Sequence, residues 1–467
     1  MQIPILNGVY VDEVSDYRSL YPRNLMPIPV DNGISAGYLK QADGIVQFGT
    51  TSGLDRGGIN WNGACYRVAG ENLIEVHSDG TNTTIGSVGN DYKNVTLTYS
   101  FDRLAIASNN NLFYYDSDNG LVQVTDEDLG NVTDVTWVDG YFMTTDGEYL
   151  VVTDLTDPTA INPLKYGSSE AAPDPVIALE KLKNEVYALN RYTIEVFDNV
   201  GTSGFPFQRI ESAQIERGAI GTHATAIFME SIAFLGSGEN ESPSIWLASN
   251  SSSVRVASRE IDKLLEDYTE LELSDVVLES RVDKGHELLY VHLKEKTLVY
   301  DGGSSRALNT PVWFILDSTV RGNTYQARNF VWCYDKWICG DPTDNQYGYL
   351  TDTVSTHYGE KTSWEFGTKI VYNNSMGAIF HSLELVTVTG NVVLGADPTI
   401  YTSYSYDGVV WSSEKPISAG TIGDRTKRLV WFQQGHMKSE RLQRFSGNSD
   451  AKISFARLEA NIEGLNA

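Results

Sequence analysis

The sequence predicts an all-β protein: a β-propeller of roughly seven blades, with an extended N-terminal arm and a C-terminal antiparallel β-sandwich. Three observations predict this fold class. Short runs of alternating apolar and polar residues, typical of half-buried strands, are interrupted by Asp, Asn and Gly, which favour turns. A pattern of three such runs recurs along the chain at intervals of 38 to 55 residues. The pattern stops near residue 358, and longer alternating runs follow.

The first 44 residues are irregular, and we expect them to form an extended arm. They contain Pro4, Pro22, Pro27 and Pro29. Proline removes a backbone donor and is therefore disfavoured in helices and in central strands. We expect the arm to lend a closing strand to the propeller.

The repeated unit consists of three strands joined by two tight turns, and an aspartate ends most units. Six units start at residues 94, 132, 176, 224, 279 and 327, and residues 45–88 fit an earlier one, which gives seven candidate blades. A fourth, less regular strand follows several units. Four strands repeated every 40–50 residues or so are typical of propeller blades. Two stacked β-sandwiches are the alternative, and the even spacing favours the propeller.

One helix is predicted, over residues 258–269, and Ser258 can cap its first turn. Its apolar residues form one stripe at helical spacing, which we interpret as core packing. The stripe consists of Ile261, Leu264, Leu265 and Tyr268.

The last hundred residues contain long alternating runs that predict the antiparallel β-sandwich. These runs lie at residues 381–389, 400–406 and 452–458. The sequence thus divides into an arm at residues 1–44, a propeller at 45–358 and a sandwich at 359–467.

The composition excludes several classes of protein. The chain carries 35 basic and 61 acidic residues, a formal net charge of −26. So acidic a chain lacks the basic footprint that nucleic acids and anionic membranes require. Its three cysteines are an odd number without a C-x-x-C pair, which disfavours a disulfide scaffold or a zinc ribbon and favours a reducing compartment. No apolar run approaches the ~20 residues of a membrane span, and the first residues lack the basic region of a signal peptide.

A search for catalytic motifs finds no H-E-x-x-H, G-x-S-x-G, phosphate-binding loop or G-x-G-x-x-G pattern. His286 and His292 lie at an even offset on one predicted strand and therefore share a face. A metal pair is one interpretation of these two residues, and ordinary histidines on a strand face are the other. We expect no catalytic residue, no metal and no cofactor.

Two segments partly match known motifs. Residues 116–120 resemble the start of a calcium loop, but one residue is missing and no glutamate follows at the twelfth position, which favours a hairpin turn. Residues 405–411 resemble the Asp-box of sialidase-type propellers, but they occur once and outside the repeats. Carboxylates are plentiful, so a propeller hydrolase acting on cell-envelope polysaccharide is kept as the alternative function.

Residues 424–459 form a basic segment, with eight basic and four acidic residues. A basic edge on an acidic molecule suits docking to an acidic partner, and a solvated strand face is the alternative. The candidate partner contacts are Arg425, Lys427, Arg428, Arg441 and Arg444.

Short stretches spread in order along nearly the whole chain carry a family resemblance. They lie at residues 35–40, 44–45, 56–58, 66–68, 261–269, 286–301, 339–341 and 427–431. Together they resemble the packaged-DNA stabilisation proteins of short-tailed bacteriophages. The resemblance implies a structural virion protein rather than an enzyme, assembled in the host cytoplasm and located in the virion tail.

The same resemblance implies the partners. Members of this family form a six-fold ring, the tail hub or nozzle, below the portal and its adaptor. They close the channel after DNA packaging, hold the tail needle and provide docking sites for tailspikes. Genomic DNA would pass through the channel without specific binding, because an acidic wall repels it. No membrane partner is implied.

Overall fold

The computed structural model describes residues 1–6, 8–11, 17–30, 35–374, 376–390, 392, 396–448 and 450–465. Its contacts divide the chain into two compact units, which we call the propeller unit and the sandwich unit. The propeller unit consists of Gln47–Lys294 and Gln326–Tyr349. The sandwich unit consists of Met1–Val46, Glu295–Tyr325 and Leu350–Ala467.

The propeller unit begins with four consecutive four-stranded antiparallel blades, each paired in chain order. Blade 1 is Asp55–Trp61, Ala64–Ala69, Asn72–Val76 and Asn82–Ser87. Blade 2 is Thr96–Tyr99, Leu104–Ser108, Asn111–Asp116 and Gly120–Gln123. Blade 3 is Asp134–Val138, Tyr141–Thr145, Tyr149–Thr153 and Ile161–Ser168, and blade 4 is Val176–Leu182, Glu185–Asn190, Ile194–Asn199 and Phe207–Arg209. Short 3-10 turns lie at Glu127–Leu129 and Glu211–Ala213.

The remaining blades are less regular. In blade 5, Gly218–Ala219 and Thr225–Phe228 both pair with Ser231–Ser237, and Ser244–Ser249 and Ser252–Arg255 follow. Blade 6 contributes Val277–Asp283 and His286–His292 to this unit. Blade 7 is Arg328–Cys333, Lys336–Gly340 and Gln346–Thr351, with Gly44–Thr50 as its outer strand. Seven blades confirm the predicted propeller.

The strand that closes the ring, Gly44–Thr50, comes from the start of the segment that was expected to open blade 1. A hydrogen bond from the Thr51 N–H to the Asn345 carbonyl (3.0 Å) continues this pairing. This pairing joins the start of the repeated region to its last blade and so closes the ring.

Turn residues with a left-handed backbone explain the tight hairpins between the first two strands of a blade. In blade 1 the turn is made by Asn62 (φ 52°) and Gly63 (φ 81°), and in blade 3 by Asp139 (φ 49°) and Gly140 (φ 92°). Two-residue hairpins need positive φ at both central positions, and Asn, Asp and Gly adopt it at the lowest cost. In these two blades the Asx-Gly pair after the first strand accounts for the turn.

Neighbouring blades pack through the apolar side chains of their middle strands. Tyr114 of blade 2 lies against Phe142 of blade 3, with 5.1 Å between ring centroids. Leu189 of blade 4 belongs to the same buried cluster as Phe234 of blade 5. The three cysteines of the chain are buried in blades 1 and 7, and no disulfide joins them.

The predicted helix is present as Arg259–Glu266. The Ser258 hydroxyl accepts the Ile261 N–H at 3.3 Å, which confirms the predicted cap. Two further helices, Glu270–Ser274 and Gly302–Leu308, were not predicted. At five and seven residues they are too short to show an apolar stripe of helical period.

Two sheets with a shared core form the sandwich unit. One has the order Leu25–Pro29, Gly37–Gln41, Ser454–Gly464, Ala378–Thr387 and Leu429–Phe432. Gln2–Ile3 also pairs with Ser454–Gly464, and His436–Met437 with Ala378–Thr387. The other has the order Trp364–Gly367, Glu440–Gly447, Thr399–Ser405 and Lys415–Ser418, with Val371–Tyr372 beside Glu440–Gly447. Gly8–Val11 pairs with Tyr17–Leu20, and Thr297–Asp301 with Trp313–Leu316.

Strands of the predicted arm take part in the first sandwich sheet. Leu39, in the second of them, pairs with Phe455. Asn24 fixes the start of this segment: its side-chain N–H donates to Asp317 and to the Ser363 carbonyl, both at 2.7 Å. Residues 7, 12–16 and 31–34 of the arm lie outside the described residues. The predicted limits at 1–44, 45–358 and 359–467 stay a prediction.

Blade 1 meets blade 7 at a buried ion pair. Arg67 is completely buried, and its Nη2 lies 2.7 Å from Asp55 Oδ1. Asn329 of blade 7 donates to the other Asp55 oxygen at 2.6 Å, and its carbonyl accepts from Arg67 at 3.1 Å. Both charges of the pair belong to blade 1, and Asn329 joins them to blade 7.

We expect Arg67→Met to lower the free energy of unfolding by about 3–5 kcal/mol, because it removes the ion-pair partner of the buried Asp55 carboxylate. Urea denaturation followed by tryptophan fluorescence measures the effect. The control is Arg103→Met, which removes a pair with the exposed Asp102 and should cost no more than ~1 kcal/mol. An Arg67→Met variant that unfolds at the wild-type urea concentration would contradict the role of the pair.

Candidate functional site

The inner strands of all seven blades line one cavity of about 370 Å³, which we call the axial cavity. Each blade contributes at least one residue to its wall, so the cavity exists only when the blades stand in a ring. One lining residue from each blade in turn is Gly58, Thr96, Thr136, Glu180, Thr225, Glu279 and Asn329.

Two carboxylates line the axial cavity, the buried Asp134 and the half-buried Glu180. Asp134 is buried, and its oxygens accept the N–H groups of Val135 (2.9 Å) and Leu179 (2.7 Å). Glu180 accepts the Thr225 hydroxyl at 2.8 Å. Burial raises the pKa of Asp134 to about 6 and that of Glu180 to about 7. No described cationic side chain forms an ion pair with either of them.

One of the two histidines on the predicted strand, His292, pairs with a glutamate. His292 is buried, and its Nε2 lies 2.7 Å from Oε1 of Glu279. The Glu279 carboxylate also accepts two backbone N–H groups at 2.7 Å each, from Asn329 and from Phe330. Burial opposes ionisation of Glu279, but the hydrogen bond and charge of His292 and the two backbone donors hold its pKa below the ordinary value. Within the described residues, no three His, Cys, Asp or Glu side chains are grouped so as to hold a metal ion.

Two further titratable side chains, His223 and Lys181, line the axial cavity. Burial lowers the pKa of His223 to about 4, so this residue is neutral at pH 7. The Lys181 ammonium lies 4.7 Å from the centroid of the Trp137 ring, in a cation–π contact.

Three of the five predicted partner contacts lie together, directly before strand Leu429–Phe432 of the sandwich unit. Arg425 is exposed. Lys427 is half-buried and donates to the Ser418 hydroxyl at 2.6 Å. Arg428 is exposed and forms a two-point ion pair with Glu384, whose pKa it lowers. We call residues 425–428 the basic loop.

The structure separates the other two candidates from this loop. Arg441 is only 1% exposed: it donates to the Gln434 carbonyl at 2.6 Å, and its guanidinium lies 4.0 Å from the Tyr404 ring. Burial lowers the pKa of Arg441 to about 10. Arg444 is half-buried, with its guanidinium 4.4 Å from the Trp411 ring. Arg441 begins a run of three buried residues in its strand.

Both partial motifs are hairpin turns. At residues 116–120, Asp116 Oδ1 accepts the N–H groups of Asp118 and Asn119, at 2.9 and 2.7 Å. At residues 405–411, Ser405 Oγ accepts the Gly408 N–H at 2.8 Å. Side-chain oxygens that accept backbone N–H groups in this way stabilise turns.

Comparisons with known proteins decide the family. The model described as "Bacteriophage P22 Gp10, beta-propeller" matches residues 1–355, and "Bacteriophage P22 Gp10, beta-sandwich" matches residues 363–463. The chain belongs to the bacteriophage P22 Gp10 family. The tail hub protein gp10 of Salmonella phage P22 is 27% identical over 458 residues, which cover 94% of this chain and 94% of gp10.

This membership confirms the resemblance to the phage tail proteins. The relative in Salmonella phage P22 is named a tail hub protein. The relatives reported above give no support to the hydrolase alternative.

Among solved structures, the chain is similar to the WD40 domain of Pan2 from Neurospora crassa, with 9% identity, a TM-score of 0.43 and coverage of 67% of this chain and 96% of Pan2's. It is also similar to the N-terminal domain of Nup159, with 9% identity, a TM-score of 0.42 and coverage of 69% and 97%. None of the helices in the described part of the chain has the length and apolar character that a membrane crossing needs.

We expect Glu180→Gln to raise the melting temperature near pH 8 and to flatten its pH dependence. The folded-state pKa of about 7 lies above the ordinary 4.5, so between these values the folded state holds a proton that the unfolded state has released. Stability therefore falls as the pH rises through this window, and the amide removes this loss while still accepting the Thr225 hydroxyl. Calorimetry near pH 5 and pH 8 measures both effects.

The control for this prediction is Asp198→Asn, an exposed carboxylate in the same blade, which should leave the pH dependence unchanged. The prediction is wrong if Glu180→Gln loses as much melting temperature between pH 5 and pH 8 as the wild type does.

Proposed function

We propose that six copies of this chain form a ring below the portal and its adaptor, which closes the DNA channel and stabilises packaged DNA. The ring also docks the tail needle and the tailspikes, and it assembles in the host cytoplasm. The observation that carries the proposal is the match to the phage P22 tail hub protein over 94% of both chains, through the propeller and the sandwich in the same order.

The charge of the chain supports a channel that DNA crosses without binding. Each copy has a formal net charge of −26, so six copies would bring about −156 charges to the ring. Where part of this charge faces a water-filled channel, it repels the phosphates of DNA and keeps the wall from retaining them.

The same charge favours assembly on a template. Like-charged copies repel one another over long range, so we expect a monomer or a weak oligomer in solution. A copy that binds the portal–adaptor complex gains contacts with the template and with its neighbour, and the ring forms there.

The basic loop is the proposed contact with an acidic partner. Of the five candidates, Arg425, Lys427 and Arg428 lie together on the described surface, whereas Arg441 and Arg444 are held by aromatic rings of the sandwich. The proposal therefore depends on the first three. Exposed pairs contribute only about 0.2–1 kcal/mol each, so the three must act together.

Imaging tests the ring. Purified protein alone and protein mixed with portal–adaptor complexes are examined by negative-stain electron microscopy and by sizing. We expect six-fold rings of this chain only on the complexes. A stable ring without the template would contradict template-driven assembly, and complexes that stay bare at saturating protein would contradict the proposed function itself.

Charge reversal tests the contact. We expect the combined variant Arg425→Glu, Lys427→Glu and Arg428→Glu to attach more slowly to tails that lack the hub, with little change in melting temperature. The wild-type rate should fall as salt screens the contact, and the variant rate should depend less on salt.

The matched control reverses three exposed cations elsewhere: Lys93, Arg259 and Arg321. It changes the net charge equally but leaves the basic loop intact, so it should attach at nearly the wild-type rate. If the loop variant also attaches at the wild-type rate at low salt, the loop is an ordinary solvated surface.

A further inference from the structure

The axial cavity contains a carboxylate whose hydrogen bonding is incomplete. Glu180 uses Oε1 to accept the Thr225 hydroxyl at 2.8 Å. Its other oxygen receives no hydrogen bond from the described residues, and none of their cations pairs with it. Glu180 is half-buried and lines the cavity, so this oxygen can accept a hydrogen bond from a ligand or from water inside it.

Asp134 adds a second, fixed negative charge to the same cavity. Its two oxygens each accept one backbone N–H, from Val135 and from Leu179, which sets the position of the carboxylate without neutralising it. Asp134 and Glu180 are close enough for the charge of Asp134 to raise the pKa of Glu180. The cavity therefore holds two neighbouring acids that repel each other when both are ionised.

The hydrogen bonds where blades 1 and 7 meet leave a third acceptor atom on a residue that lines the cavity. Asn329 donates to the Asp55 carboxylate at 2.6 Å, so its side-chain carbonyl oxygen must point the other way, where it accepts from Asn94 Nδ2 at 3.1 Å. This chain of bonds leaves Asn94 Oδ1, on a lining residue of the cavity, as a buried acceptor that no described donor reaches. The unsatisfied groups of the cavity are thus acceptors.

The wall also contains an aromatic surface suited to a cation. Trp137 lines the cavity, and the ammonium group of Lys181 already lies 4.7 Å from its ring centroid. Indole is the side chain with the strongest cation–π attraction.

We propose that the axial cavity binds an alkyl-guanidinium or alkyl-ammonium group, anchored by Glu180 and drawn in by the charge of Asp134. A guanidinium has five N–H donors and no acceptor, which matches a cavity with surplus acceptors. The volume of about 370 Å³ is within the range of small-ligand sites. A metal ion fits less well, because no described group of three ligating side chains exists to hold it.

The proposal has a pH dependence with a definite sign. Glu180 must be ionised to bind a cation, and its pKa is about 7, so affinity rises between pH 6 and pH 8 and binding releases a proton near pH 7. The charged and titratable groups that face it are Lys181 on its own strand, and Asp134, His223 and the Glu279–His292 pair on the strands around the cavity.

The test titrates agmatine, an alkyl-guanidinium, into the full-length chain at pH 8 and low salt by calorimetry. We expect saturable binding that weakens at least about tenfold at pH 6 and about tenfold in Glu180→Gln, whereas Asp198→Asn binds as the wild type does. Saturable binding absent up to about 10 mM, or equal binding by Glu180→Gln, would overturn the proposal. The pH series on the wild type keeps the test independent of how the variant folds.

Two further arms identify the source of the group. A capped Gly-Arg-Gly peptide represents the arginine side chain of a protein partner, and agmatine represents a small free cation. Binding of either ligand supports the site, and the ligand that binds more tightly indicates the source of the group. Calcium chloride is the third arm. If calcium raises the melting temperature as much as agmatine and loses this effect in Glu180→Gln, the site is a metal site and the proposal is wrong. The site lies within the propeller unit, so its test does not depend on ring assembly.

Discussion

The buried ion pair between Arg67 and Asp55 is the constraint on which the propeller depends, because it lies where the first blade meets the last. Opening this seam would expose the apolar faces through which blades 1 and 7 pack, because side chains of both blades form one buried cluster there. Asp55 also accepts from Asn329, and Arg67 donates to the Asn329 carbonyl, so both charges find partners across the seam. Gly340 shows how closely the seam is packed: a Cβ there would lie 1.9 Å from the Asp55 side chain.

Closure of the ring creates the axial cavity and determines its chemistry. Each inner strand faces six others, so polar side chains that would be hydrated on a flat sheet are drawn out of water. Asp134 and Glu180 have no described cationic partner, and their raised pKa values show that the folded protein carries them at a cost. Proteins retain such destabilising groups chiefly at sites of function, where a ligand supplies the missing interaction.

The basic residues of residues 424–459 differ in where they lie and in what they contact. The chain is strongly acidic, yet three cations lie side by side at Arg425, Lys427 and Arg428. Nearby Arg441 shows that a cation in the same basic segment can serve packing alone, since its guanidinium lies between aromatic rings and donates to a buried carbonyl. Counting charges along a segment therefore does not separate a docking surface from a core; the direction of each side chain from its strand does.

The sequence by itself predicted the fold class and a propeller of roughly seven blades, because strand alternation, the Asp, Asn and Gly residues between the strands, and the repeat spacing are local properties of the chain. It also determined the helix capped by Ser258 and the family. Tertiary structure alone decided that Gly44–Thr50 closes blade 7, that His292 pairs with Glu279, and that Asp134 and Glu180 share a cavity. These contacts join residues that come from different strands, and their distances depend on how the sheets pair and close around the axis, which no local pattern encodes.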